Sequence, residues 1–433
     1  MPRIADPIAA RRPAPNLLCD GELARSDRQP HSSGVPPRDA SRPVPEVARR
    51  VPVSPEPPEI VGVSPEAAVV CGAIWRCTLI LALLLFGCGV PTGPAGVRVF
   101  SAEPPSELED YCAWYGDARD GVLYFGQAPF WAAHRASGGD PRADLEHPGP
   151  QLVGRFDLER ERLLPPLDVT APGARSGVWD VHAHANGRIY FTTFYEEMGW
   201  VDPATGASGR FDGLGEGLNE IAAGPGETLL VTRYGGGPGR SGAVLQLSPE
   251  GELLAELAVP PPDGERLQVA PKTPAFDPLR SEVWTTNDLI AAEGGEIRYD
   301  AVVLGPEGRV LRRIAEPEIQ FVAFGPDGSG HLAEVDARGL RLRQPRAGRT
   351  IPLDPGFARS LDFAQDVKPL ADGRVVVSRW SGHVHVVSPD GQVASVRLPR
   401  VAEGGLYYTA VARGRRVCAT HCGGVRVVCD DLD

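Results

Sequence analysis

"LADGRVVVSRWSGHVHVVSPDGQVASVRLP", residues 370–399, decides the fold. An Asp-Gly turn at 372–373 opens into the β-branched run "RVVVS". A second run, "HVHVV", meets the Pro-turn "SPDG", and a third, "QVASVRLP", follows it. Short β-branched runs separated by Gly and Pro-Asp-Gly turns read as an antiparallel meander. The residues just before, "QDVKP", add one more extended run, so the unit has four strands.

The phrase recurs along the chain. Its turn-and-strand segment appears as "DARDGVLYFGQAP" (117–129), "HANGRIYFTTF" (184–194), "GPGETLLVTRY" (224–234), "PLRSEVWTTND" (278–288), "PDGSGHLAEVD" (326–336), "LADGRVVVSRW" (370–380) and "ARGRRVCATHC" (412–422). Each run ends in Thr, Ser or another small or polar residue. The interval is mostly about 40 to 54 residues, the length of a four-stranded propeller blade. A lone meander has two apolar faces and cannot cover both, whereas radial stacking covers both and leaves only short edges. The sequence therefore predicts an all-β chain, a β-propeller of four-stranded blades, with seven blades favoured over six. The first interval is longer and holds an insertion, 130–150, expected over one rim. The Gly-rich "YGGGPGRSG" (234–242) lies between two strands and reads as a hairpin loop, not a phosphate cradle.

Composition narrows function. Net charge is −12, and of 44 basic residues only Lys272 and Lys368 are lysines. So many Arg beside so much Gly and Pro is a codon-usage signature. Without clustered positive charge, nucleic acid is not an expected partner.

Four segments are expected along the chain. Residues 1–66 are Pro/Arg-rich and too poor in apolar groups to offset the entropy of ordering. Residues 67–88 form a lipoprotein-type signal peptide; extended to 90, the same stretch also reads as a membrane span interrupted by Arg76. "LFGC" (85–88) resembles a lipobox, with Cys88 the lipidated residue and Phe86 bulky for its slot. Residues 89–104 are a tether and 105–433 the propeller. A start of translation near Val69 or Val70 would make the signal an ordinary N-terminal one. The propeller is thus expected outside the cytoplasm, lipid-anchored at the cell envelope.

Cys112, Cys418, Cys422 and Cys429 follow the lipid cysteine. In an exported domain they imply up to two disulfides, in one of three pairings. "RRVCATHCGGVRVVCD" reads as a hairpin around Gly423-Gly424, which sets Cys418 opposite Cys429 and leaves Cys422 for Cys112. That pairing would tie the first blade to the last. Zinc at the CxxxC lacks an evident fourth ligand.

Candidate chemistry sits a fixed distance before each turn, where innermost strands line a channel. These residues are Asp180, Asn219, Glu220, Lys272 with Thr273, Gln320, and Gln365 with Asp366. A channel that only holds water accounts for the same pattern. His182 with His184, and His383 with His385, share strand faces at a spacing that can hold a metal, but neither pair has a third ligand nearby. Trp114, Tyr115, Phe194, Tyr195, Arg233, Tyr234, Arg379 and Trp380 stand at strand ends and serve either a rim surface or blade packing.

The repeat grammar of about residues 105–430 resembles NHL-type and SMP-30/gluconolactonase-like propellers. "LNEIAAGPGETLLVTRY" is similar to that family's Asn-Gly-Leu-Ala…Pro-Asp-Gly phrase, which would make Asn219 a metal ligand. "CAWYGDARDGVLYF" is similar to its first-blade phrase, but Tyr111 fills the slot of the metal-binding Glu, with Glu109 and Asp110 only nearby. Trp179 and Asp180 occupy the place of a second Asn, and Asp366 would stand for the catalytic Asp. Seven blades would depart from the family's six. Virginiamycin B lyase-like propellers share the grammar, but their catalytic His/Glu cluster has no recognisable counterpart.

The expectation is a binding or scaffold module at the envelope, taking an envelope protein or small ligand at its channel mouth or rim, without a cofactor. The alternative is a lactonase-type hydrolase holding Ca²⁺ or Zn²⁺ on Asn219, Asp180 and Asp110, with Asp366 catalytic.

Overall fold

The structure is a computed structural model that describes residues 96–432, except 102–110, 130–149, 194–196, 236–238, 292–296, 355–361, 402–405 and positions 173, 175, 337 and 400. The preface, the signal with Cys88, Asp110, Phe194, Tyr195 and all but the last residue of the 130–150 insertion lie outside the described residues.

The described strands, numbered β1–β28 in chain order, form seven four-stranded antiparallel sheets. The ring is a seven-bladed β-propeller, as the repeat count predicts. The innermost strands are β2 (Tyr111–Arg119), β6 (Val178–Ala183), β10 (Leu218–Ala223), β14 (Leu267–Asp277), β18 (Glu318–Phe324), β22 (Ala364–Pro369) and β26 (Tyr407–Arg413).

Alternation explains the stacking. In β23 (Val375–Arg379) every residue is buried. Val375 and Val377 pack with Leu340 and Leu342 of the fifth blade, while Val376 packs with Val417 and Ala419 of the seventh. Successive side chains of a strand point to opposite faces, so one run feeds two interfaces. Each buried Val contributes about 1.5–3 kcal/mol. This is why "VVV" reads as a strand buried on both faces.

The last blade is completed by the first strand. β1 (Arg98–Ser101) pairs antiparallel with β28 (Arg426–Asp431), placing Arg98 opposite Cys429. Residues 98–101 were expected in the tether and are instead the outermost strand of the ring. A four-residue strand without a turn phrase, whose partner lies at the other end of the chain, carries no local signal.

Both expected disulfides are present. Cys418 faces Cys429 across β27 (Arg416–His421) and β28, and Cys112 bonds Cys422. The turn between them uses Gly423 and Gly424 at φ of 109° and 96°, which L side chains rarely adopt. Cys112 opens the first blade and Cys422 follows β27, so this bond clamps the ring where its two ends meet.

Candidate functional site

Each of the seven innermost strands carries a register shift against its neighbour. The shifts fall at 113/116, 178/180, 218/221, 272/275, 319/321, 364/366 and 407/410. A bulge inserts an unpaired residue and re-aims side chains. Here the bulges hold Tyr115, Asn219, Glu220, Thr273, Gln320, Gln365 and Tyr408, with Asp180 and Asp366 immediately after two of them. The candidate ring read from sequence is therefore made of bulge residues and their immediate neighbours.

The bulges also explain the Thr and Ser that end the repeated phrase. A bulge leaves backbone groups unpaired, and a hydroxyl across the ladder can meet them. The Thr232 hydroxyl accepts the Glu220 amide at 3.0 Å, and Thr285 donates to the Lys272 carbonyl at 2.6 Å. Others reach the next blade. Thr420 donates to the Trp114 carbonyl at 2.9 Å, Thr192 to that of Asn219, and Ser378 to that of Tyr408.

Most channel acceptors clasp one blade to the next. Asp117 accepts the Ala183 amide at 3.2 Å, Asp180 that of Ile221 at 2.8 Å, Glu220 that of Thr273 at 2.8 Å, and Gln320 that of Ala364 at 2.9 Å. Asp366 accepts from the Thr409 hydroxyl at 2.8 Å. Asp180 gives its other oxygen to the Val181 amide, and Asp117 gives its to Ala118. Thr273 sits at φ 34°, unusual for a β-branched residue. Its amide is held by Glu220 and its hydroxyl by Thr286 at 2.7 Å.

Both lysines of the chain stand in this channel. Lys368 approaches Asp366 at 3.5 Å, and Lys272 pairs with Asp288 at 2.6 Å. Burial pushes the Asp117 carboxyl up, but Lys368, His182 and the Ala183 amide outweigh it and hold it at about 2. The His182 ring lies 3.0 Å from that carboxylate. Burial, then the nearby Glu220, push Asp180 well above the usual carboxylate range despite Lys368. Burial raises Glu220 to about 7 against the pull of Lys272 and the Thr273 amide. Burial likewise raises Asp366. Burial opposes charge on the lysines, yet Asp288 for Lys272 and Asp366 for Lys368 hold both above the ordinary amine value. They are cations, not free-amine nucleophiles.

The channel has two mouths that share Tyr115, Glu220, Thr273 and Phe321 as a waist. The mouth where innermost strands end is about 550 Å³ and includes Asp117, His182 and Lys368. The mouth where they begin is about 220 Å³ and includes Lys272, Asp288, Tyr299, Gln320, Phe363 and Trp380. It is offset to one side. Over the first, second and seventh blades, Trp114 packs on Trp179 at 4.3 Å and on Tyr408 at 4.6 Å, beside the Cys112–Cys422 disulfide. β14 and β15 (Glu282–Ala291) are the longest described strands and wall the open side.

Sequence reasoning missed Asp117, Lys368, Asp288, Tyr299 and Thr409 as channel residues. Asp117 and Lys368 had a signal: alternation puts residue i+2 on the same face, and Lys368 follows Asp366 by two. Lysine rarity was a second signal.

The histidine pairs do not converge on a metal. His182 and His184 lie 5.9 Å apart by ring centroid; His182 meets Asp117, while His184 Nε2 meets the Glu227 carbonyl. His383 and His385, on β24 (His383–Val387), the third strand of their blade, bond Ser381 in the preceding turn and Ser395 on the fourth strand. Arg379 pairs with Asp354 and Asp362, and Arg233 with Glu256. Among the described residues no group of three or more His, Cys, Asp or Glu is arranged to hold a metal. Asp180 is committed to two amides. This geometry does not favour the lactonase alternative.

No family model matches the chain, and no curated protein does. Its fold is similar to that of a catalytically inactive virginiamycin B lyase from Staphylococcus aureus, solved with quinupristin. The TM-score is 0.51 at 10% identity, over 78% of this chain and 100% of that one. The extracellular domain of a putative hybrid two-component system from B. thetaiotaomicron aligns at a TM-score of 0.48 and 12% identity, over 78% of this chain and 41% of that one. A protein of unknown function from Bacteroides caccae aligns at 0.39 and 14%, over 57% and 89%. Identities this low show the fold alone.

Proposed function

We propose that this chain is an extracytoplasmic, lipid-anchored propeller that binds a small ligand at the channel mouth where its innermost strands begin. One observation carries the reading. That mouth gathers Lys272, Asp288, Glu220 and two glutamines against half-buried aromatic rings, of which Tyr115 and Trp380 are backed by the Trp114–Trp179–Tyr408 cluster. A concave site with few polar groups set among aromatics is the usual form of a small-molecule site. Two disulfides support an oxidising compartment, and Cys88 supplies the anchor. A small ligand fits better than a docked protein, because the polar groups converge inside the ring.

The test is a small-molecule thermal-shift screen on the full chain, repeated with Trp380→Ala. Hits whose shift disappears in the variant support the site. Hits indifferent to Trp380→Ala place binding elsewhere and sink it. For the anchor, Cys88→Ser should release the protein from membranes; continued membrane association would refute lipidation at that residue.

A further inference from the structure

A second cavity, about 510 Å³, lies between the fifth and sixth blades on the side where the innermost strands end. Its walls are the turns that follow β18, β20 (Gly339–Gln344), β22 and β24. Three arginines line it, Arg346, Arg349 and Arg374, against one carboxylate, Asp327. That balance runs against a net charge of −12 for the chain. The sequence changes sign at the same place. The turn joining third to fourth strand reads "SPEG" at 248–251, "GPEG" at 305–308 and "SPDG" at 388–391, each with an acid after the proline. The fifth blade reads "QPRAG" at 344–348, with Arg346 after the proline.

Arg374 is already neutralised by Asp372 at 2.8 Å. The other two guanidinium groups are held in place by neutral oxygens. Arg349 donates to Gln344 Oε1 and to the Pro389 carbonyl, both at 2.7 Å, and Arg346 to the Asp327 carbonyl at 3.1 Å. The carboxylates nearby are turned to other donors. Asp327 accepts the Ser329 amide at 2.9 Å, and Asp390, close enough to feel the charge of Arg349, accepts from the Ser388 hydroxyl. Arg349 Nε is buried without a hydrogen-bond partner among the described residues. The wall behind Arg349 is also fixed. With Oε1 taken, Gln344 turns its Nε2 to His331 Nδ1 at 3.3 Å, and His331 Nε2 meets Ser329 at 3.0 Å. Burial holds His331 down at about 4, so it is a neutral bridge in this chain of bonds.

We propose that this groove is a second ligand site, one for an oxyanion: the carboxylate or phosphate group of a small molecule, gripped by Arg346 and Arg349. A guanidinium presents its N–H groups as a planar fork that matches both anions, and such charge-assisted bonds are the strong ones. The volume is that of a small-molecule site. A cation would meet two guanidinium charges that no carboxylate neutralises. This site and the channel mouth stand or fall separately.

The experiment is calorimetric titration of the full chain with inorganic phosphate and with succinate, against sodium chloride at the same ionic strength. Phosphate, succinate or both should bind beyond the chloride control, and which of them does identifies the anionic group. Arg346→Gln, at an exposed position, and Arg349→Lys, which keeps the charge but loses Nε and the fork, should each weaken binding about tenfold. Arg155→Gln, on the first blade, removes a guanidinium likewise held by a carbonyl, that of Pro165, and should change nothing. Trp380→Ala should also leave this binding intact, which separates it from the channel mouth. Neither anion exceeding chloride, binding that survives both Arg346→Gln and Arg349→Lys, or an equal loss in Arg155→Gln or Trp380→Ala would overturn the site.

Discussion

Asp180 Oδ2 accepts the amide of Ile221 at 2.8 Å, joining the second blade to the third across the channel wall. Its partner oxygen takes the Val181 amide at 2.8 Å. The channel acids are in part the stitching of the ring. Asp180→Asn keeps one acceptor and turns a donor toward the other amide; Asp180→Ala removes both. Expected losses are about 1 and about 2–3 kcal/mol. Urea denaturation of both variants checks the order, and equal midpoints with the parent would show that the clasp contributes nothing.

Glu220 gives the fold a pH dependence of definite sign. Its carboxyl titrates near 7 when folded against 4.5 as a free side chain. Below the unfolded value both states carry the proton and the contribution is whole; it is lost as pH rises toward about 7. Asp117 acts the opposite way, at about 2 against 3.8, contributing above about 4 and failing as acid approaches 2. Stability of Glu220→Gln should therefore fall less than that of the parent between pH 5 and 7. Parallel curves for the two proteins in that window would contradict the assignment.

The two disulfides differ in reach. Cys112–Cys422 closes 310 residues and Cys418–Cys429 only 11. Constraint on the unfolded chain grows with loop length, so Cys112→Ser with Cys422→Ser should cost about 2–5 kcal/mol and exceed the loss from the hairpin pair. Melting curves of the two double variants give the comparison; a larger loss from the hairpin pair would reverse the argument.

Gly126 lies where the first blade meets the second. A Cβ there would stand 2.5 Å from the Val178 carbonyl oxygen and 2.7 Å from that of Trp179. Both are backbone atoms beside a bulge and can yield only if the blade shifts. Gly126→Ala is expected to cost about 1–3 kcal/mol. Unchanged thermal stability would mean that the blades separate freely there.

Much of this architecture was legible because its causes are local. "RVVVS" shows a strand buried on both faces, and "CATHCGGVRVVC" shows its turn and hence its pairing. The bulge ring was legible as Asp180, Glu220 and Asp366 because each precedes its turn by a similar interval. What escaped depends on distant partners. Asp288 and Tyr299 enter the cavity from the second and third strands of one blade, made long enough to overhang it. The clasping amides of Ile221 and Thr273 belong to neighbouring blades and leave no trace in composition. Asn219 matched a family phrase, yet among the described residues no group of three or more acids, His or Cys is arranged to hold a metal.

The strand at Arg98 is the first part of the ring to be synthesised and the last to find a partner, since Arg98 waits for Cys429. Until residues 426–431 have emerged, the final blade has an open edge and the circle cannot shut. The entropy of bringing the two ends of the chain together is met at that single moment. Without residues 426–431 the strand Arg98–Ser101 would have no ladder to join, so this one pairing makes a blade out of segments more than three hundred residues apart.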